Sequence, residues 1–256
     1  MVSFILSGNT SDFITYHDSV QLDPNKKYEA ALLSLDTYNS IPNIMENKNN
    51  ILKYSTDDGI TWKIITLSTG AYELLGINNE IKRQIITKED DDTAIDIIAN
   101  ISRLTSIVNI ENPRYKIDFG VDNSIGSVLG FEKVFIGYGY NESSNIVNIM
   151  PVNSILVNID IIMGSYVNGF QAPTLYCFHP NVSPGYKIVE RPNPSLIYYP
   201  ISRHDISRMR VWLTDQNGDL IDLRGEAITV RVHVREINPI LKELLNISKL
   251  ISKLII

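Results

Sequence analysis

Two stretches late in the chain alternate strictly between apolar and polar residues. Met209, Val211 and Leu213 oppose Arg208, Arg210 and Trp212, and Ile228, Val230, Val232 and Val234 oppose Thr229, Arg231, His233 and Arg235. Successive side chains of an extended strand point to opposite faces, so this period of two sends one set into a core and the other to solvent. Only a half-buried β-strand satisfies both sets. Between the two stretches, Asp215-Gln-Asn-Gly218 carries an Asn-Gly pair, which tolerates positive φ and closes a turn. The same alternation runs through 154–162, where Ile155, Val157, Ile159 and Ile161 oppose Asn158 and Asp160. Further strand candidates are 13–22, 28–35, 51–55, 60–67, 105–110, 115–119, 133–136, 174–178, 186–190 and 195–201. Many short β-branched runs separated by turns predict an all-β protein built as a two-sheet sandwich or jelly roll. Helical signals are few: 69–85, and a turn over 124–129 that ends on Gly130 in the C-cap position. The acidic run 89–92 reads as an exposed loop tip, 137–141 as an aromatic loop and 141–148 as a long polar loop.

With 44% hydrophobic and 20% charged residues, the 256-residue chain can bury a sizeable core, which excludes disorder as a description of the whole. Its net charge is −6, and it has no block rich in Lys and Arg. Specific nucleic acid is therefore not expected as a partner, because that affinity begins with phosphate neutralisation by clustered cations. The 39 Ile and 24 Asn are an excess that points to an AT-rich coding genome. Cys177 is the lone cysteine and cannot close a disulfide within the chain. The opening MVSFILSG lacks a basic n-region and turns polar too soon for a signal peptide, so the expectation is a protein that is not secreted.

From Pro239 the period changes. Ile240, Leu244, Ile247, Ile251 and Leu254 recur at spacings of 4, 3, 4 and 3, and Leu241, Leu245, Leu250 and Ile255 widen the stripe. Residues 237–256 are thus expected to form an amphipathic C-terminal helix beside a 1–236 jelly-roll domain. Lys242, Glu243, Asn246, Lys249 and Lys253 make it too polar to span a bilayer. A helix of this length is marginal alone in water and needs a surface to cover. Docking on its own fold, self-association and a partner surface all remain open, with membrane contact the less favoured form of the last.

Chemistry is sparse. Cys177-Phe-His179 offers two soft ligands without a second pair, short of a structural zinc set. His17-Asp18 and His204-Asp205 are adjacent in sequence, which does not supply the convergent geometry of acid–base catalysis. Gly-x-Ser-x-Gly, His-Glu-x-x-His and the glycine-rich phosphate loops are absent. The expectation is no enzyme, no cofactor and no metal. Arg203, Arg208, Arg210, Arg231 and Arg235 fall on the outward faces of the late strands as a local basic stripe on an acidic protein. A solvated sheet surface is the simpler reading. Trp212 on the same strand strengthens the alternative, an interface between subunits, because exposed Trp and Arg are enriched at binding hot spots. The candidate oligomer interface is therefore Arg208, Arg210 and Trp212 together with Ile240, Leu244, Ile247, Ile251 and Leu254.

Several stretches, taken in order, resemble one family. Phe4-Ile-Leu-Ser-Gly-Asn-Thr10, Val20-Gln-Leu22 and Tyr28-Glu-Ala-Ala-Leu-Leu-Ser-Leu-Asp-Thr-Tyr-Asn-Ser-Ile41 resemble the start of penton-type minor capsid proteins of Polinton (Maverick) elements, adintoviruses and virophages. Leu67-Ser-Thr-Gly-Ala-Tyr-Glu-Leu-Leu75 is similar to the family's Pro-Gly-x-Tyr helix without its Pro, and Asn123 to Phe131 to its Leu-Gly-Phe turn. Ile206 to Gly225 and Val230 to Arg235 resemble its closing signature. The resemblance spans nearly all of 1–236 and has no counterpart for the tail. It implies a single jelly roll that forms a homopentamer at a virion vertex, with itself and a major capsid protein as partners and a spike or internal protein as a further one. The competing readings are a captured capsid jelly roll serving a host as an oligomeric binding module, trimeric through its tail, and, much less favoured, a cupin-like metal enzyme.

Overall fold

Backbone pairing nests the strands of one half of the molecule like a long hairpin rolled over on itself. In the computed structural model, which describes residues 1–192 and 196–237, the chain opens with β1 (Val2–Gly8), β2 (Asp12–Gln21) and β3 (Tyr28–Tyr38). There follow β4 (Ile51–Ser55), β5 (Lys63–Thr66), α1 (Leu74–Thr87), β6 (Ile95–Asn100), β7 (Thr105–Ile110), β8 (Lys116–Asp118), α2 (Gly126–Leu129), β9 (Phe135–Ile136) and β10 (Gly139–Glu142). The chain then runs through β11 (Ile155–Ile159), β12 (Ser165–Val167), β13 (Phe170–Ala172), β14 (Thr174–Phe178), β15 (Lys187–Glu190), β16 (Tyr199–Pro200), β17 (Asp205–Thr214) and β18 (Ile228–Glu236).

Strand β1 pairs with β18, β2 with β17, β3 with β15 and β11 with β14, every pair antiparallel. First with last, second with second-last and so inward is the connectivity of a jelly roll. It yields two facing sheets, β1-β18-β3-β15, with β16 also on β3, and β14-β11-β17-β2. The expected all-β jelly-roll class is what the chain adopts. The alternation described above supplies its core: Met209, Val211 and Leu213 of β17 and Ile228, Val230, Val232 and Val234 of β18 pack with Leu6, Leu32, Leu35, Val157 and Ile159. At about 25 cal/mol per Å² of apolar area removed from water, each such side chain contributes roughly 1.5–3 kcal/mol.

Residues 42–149 leave this sandwich between β3 and β11 and build a second core. Its sheets are β5-β4-β8-β9 and β10-β7-β6. Helix α1 buries Leu74, Ile77, Ile81 and Ile85, one side of a 3.6-residue period, against them. Phe119 and Phe131 stack with ring centroids 4.7 Å apart at its centre. Asn78 of α1 closes the open edge of β6, accepting from the Ile97 amide at 3.0 Å and donating to Asp96 at 2.9 Å.

Several local expectations are corrected here. Val2–Gly8 is a full strand, paired from Val2↔Val234 to Gly8↔Ile228, which its short and imperfect alternation did not announce. In the acidic run, Asp90 is half-buried and accepts from Lys63 and the Tyr54 hydroxyl, so it is not a free loop tip. Gly139 opens β10 inside the segment read as an aromatic loop, although Tyr138 and Tyr140 are exposed as expected. Helix α1 starts at Leu74, and Gly130 ends α2 with φ +83°, in the expected C-cap role. The tail from 238 onward, with its expected helix, lies outside the described residues.

Candidate functional site

The outward face of sheet β14-β11-β17-β2 carries the three described residues singled out from the sequence. Arg208, Arg210 and Trp212 alternate with buried Met209, Val211 and Leu213 along β17, so all three face away from the core. Register sets Arg208 opposite Tyr16, Arg210 opposite Ile14 and Trp212 opposite Asp12 on β2. Arg210 grips Asp12 with two hydrogen bonds, from Nε at 2.8 Å and Nη2 at 2.5 Å, and lies over the Trp212 ring at 4.9 Å. The Arg210 guanidinium holds the Asp12 carboxyl below the usual carboxylate range, despite its partial burial. Arg203 pairs with Asp160 at 3.0 Å and donates to the Arg208 carbonyl at 2.9 Å. Arg208 itself is exposed, and no carboxylate among the described residues lies within ion-pair distance of it. Tyr16, 73% exposed, stands beside it. Trp212 is half-covered, so among the described residues of this face Arg208 is a cation without an ion pair and Tyr16 an exposed aromatic. Sequence reasoning missed Tyr16 because β2 lacks strict alternation.

The five arginines do not form one stripe. Strand β18 belongs to the other sheet, so Arg231 and Arg235 face outward on the opposite side of the sandwich. There Arg235 pairs with Glu29 at 2.6 Å and lies over the Tyr198 ring, while the Tyr198 hydroxyl bonds His233 Nδ1 at 2.9 Å. Burial, and secondarily Arg235, lowers the His233 pKa. Ile240, Leu244, Ile247, Ile251 and Leu254 lie outside the described residues.

The histidines make no catalytic set. His17 lies inside β2 rather than at a strand end; its ring packs on Phe4 at 5.0 Å, and its Nδ1 bonds the Asp18 backbone carbonyl rather than the carboxylate. His204 Nε2 faces the Lys26 carbonyl at 3.3 Å. His179 Nδ1 lies 2.8 Å from the Asn153 carbonyl and 3.3 Å from Ser154 Oγ, whereas burial raises the Cys177 thiol on the outer face. Among the described residues no three His, Cys, Asp or Glu side chains converge on a metal-sized site.

A cleft of about 550 Å³ opens where the sandwich meets the insertion, lined chiefly by Ile41, Tyr72, Met150, Val152, Pro180 and Pro184. Asn43 sits in its wall with its amide fully used, donating to the Tyr72 and Ile149 carbonyls and accepting from the Tyr72 amide. The cleft is a mostly apolar recess where the sandwich meets the insertion, with Glu73, Asn181 and Ser183 also in its lining.

No family model matches the chain, and no curated protein does. Among solved structures, the crystal structure of SeMet-labelled mavirus penton protein is similar, with a TM-score of 0.48 and 11% sequence identity over 92% of this chain and 99% of that one. Among the described residues no helix is long and apolar enough to cross a membrane.

Proposed function

We propose that the chain is a capsid structural protein without catalytic activity, a penton-like vertex subunit that assembles as a homopentamer beside a major capsid protein in the virion. One observation carries this reading: the space between the two jelly-roll sheets is filled by apolar side chains, and groups able to recognise a partner stand on the outer faces. A jelly roll so filled meets its partners through its surface. The ordered sequence motifs support the same reading, and they fall on structural turning points: Gly130 after α2, and the Asp215–Gly218 turn after β17. A ring of subunits is built from heterologous contacts in which one flank complements another. Arg208 and Tyr16 supply an uncommitted cation and an exposed aromatic for such a flank.

Native mass spectrometry of the purified chain tests this. A pentamer is expected, weakened by Arg208→Glu. A chain that stays monomeric at tens of micromolar removes the vertex reading.

A further inference from the structure

Residues 2–8, Val-Ser-Phe-Ile-Leu-Ser-Gly, carry no charged side chain and no proline. They form β1, an outermost strand of its sheet, paired with β18 without a break from Val2↔Val234 to Gly8↔Ile228. An edge strand leaves every second backbone N–H and C=O without a ladder partner on its open side, and that row of groups is a template for another strand. Proteins blunt such edges by keeping them short, charged, bulged or covered. The other three edges of the jelly roll are blunted in these ways. Strand β15 is four residues long and carries Lys187 and Glu190. Strand β14 shifts register beside Val157 and Asn158, and its Thr174 amide donates to Ser165 Oγ at 2.9 Å. Strand β2 shifts register between the pairs made by Ile206 and Arg208, and carries Asp12 and Asp18.

Strand β1 has none of these protections. It is regular and uncharged, and among the described residues its one side-chain hydrogen bond, Ser7 Oγ with Thr229 Oγ1, lies on the β18 side. Its outward face presents Ile5, 64% exposed, between exposed Ser3 and Ser7. Counted outward from Ile5, the strand has nearly the same pattern in both directions. Phe4 and Leu6, both turned to the core, are large and apolar, and Ser3 and Ser7, both turned out, are small and polar. Antiparallel pairing of two such strands about Ile5 sets Ile5 opposite Ile5, Phe4 opposite Leu6 and Ser3 opposite Ser7, with like faces together. A contact around a two-fold axis needs this self-complementarity, because the same patch serves on both sides.

We propose that β1 joins two copies of this chain about a two-fold axis, each β1 lying antiparallel to the other, so that the sheet β1-β18-β3-β15 continues from one copy into the next. The pattern around Ile5 selects a second copy as the occupant, and the absence of charge lets two identical strands approach without repulsion. Pairing supplies ladder partners to the open side of β1 and covers Ile5 of each copy with Ile5 of the other. The contact lies on the sheet that does not carry Arg208 and needs no ring, so it goes beyond the vertex reading and survives its failure.

The full chain carrying Cys177→Ser and Ile5→Cys tests it under mild oxidation. Directly opposed residues of antiparallel strands have Cα atoms about 4.5–5.5 Å apart, within the span of a disulfide, so a linked pair of chains is the expected product. The chain carrying Cys177→Ser and Ser3→Cys is the control, because its two thiols would stand four residues out of step, about 13 Å apart. Linkage through Ile5→Cys is expected to be at least tenfold faster. Equal rates, or no linked pair from Ile5→Cys, would overturn the proposal. In a second measurement on the otherwise native chain, raising its concentration from micromolar to hundreds of micromolar is expected to slow amide exchange of 3–7 about tenfold. Ile5→Lys, at a position exposed enough for the fold to accept it, should abolish that slowing. Exchange that ignores concentration, or slowing that persists in Ile5→Lys, would likewise overturn it. A pentamer without the Ile5 link would keep the vertex reading and discard this one, and a linked pair without a pentamer would do the reverse.

Discussion

The Asn43 side chain donates from Nδ2 to the Ile149 carbonyl at 2.9 Å, tying the segment that enters the insertion to the segment that leaves it. The same amide brackets Tyr72, donating to its carbonyl at 2.7 Å and accepting from its N–H at 2.9 Å. Asn43 is 4% exposed, so removing it strands backbone groups away from water. Asn43→Ala is expected to cost about 2–3 kcal/mol, the penalty of unsatisfied buried groups, read as a lower urea midpoint. A loss below about 0.5 kcal/mol would show that water replaces the amide there.

Arg208 and Arg210 should behave differently although they are two residues apart. Arg210 is committed to Asp12 and Trp212 within the chain, whereas Arg208 has no such carboxylate. In the proposed pentamer, Arg208→Glu is expected to raise the dissociation constant at least tenfold, because it reverses a charge on the proposed contact face. Asp12→Asn, which frees Arg210 without removing it, should change that constant less than threefold. Equal effects in analytical ultracentrifugation would place the contact elsewhere.

Acid should weaken the insertion through Asp90. Burial opposes ionisation of this carboxyl, but hydrogen bonds from Lys63 and Tyr54 outweigh it and hold its pKa below the ordinary value. A group whose folded pKa is depressed contributes stability above its unfolded value near 4, and loses it as pH falls through the folded value. Asp90→Asn should therefore lower Tm at pH 7 by about 2–4 °C, the shift that 1 kcal/mol produces in a chain of this size. The difference from the native chain should shrink below pH 4. A gap that persisted at pH 2 would mean that shape rather than charge is the cause.

Gly130 has φ +83°, and a Cβ there would press on the Asn145 carbonyl. Its own carbonyl accepts from the Asn145 amide at 3.0 Å, so the neighbouring backbone has little room to yield. Gly130→Ala is expected to cost about 2 kcal/mol or more, combining left-handed strain with the clash. Chemical denaturation measures this, and a neutral result would show that the loop shifts freely.

The strictly alternating stretches were legible in advance and form β17 and β18. The expected 51–55, 105–110 and 174–178 also coincide with β4, β7 and β14, although their burial does not alternate strictly. Strand β1 was not legible, because Ile5 faces outward and breaks the pattern, and its partner lies at the other end of the chain. The short β12–β13 hairpin escaped for a similar reason: its exposed Tyr166 and Phe170 do not alternate against a buried set. On the candidate surface, Arg208, Arg210 and Trp212 were found by their strand's period, while Tyr16 had no comparable local signal.

The sequence by itself determined which side of each regular strand is apolar, and with it an all-β class, because period-two burial follows from backbone geometry alone. It also determined the Gly130 cap, where the chain needs positive φ. Tertiary structure decided what local pattern cannot carry: which strands pair, that 42–149 keep a core of their own, and that arginines on β17 and β18 face opposite sides of the sandwich. Pairing across two hundred residues depends on how whole faces fit together. A period records only that each strand has a face to bury.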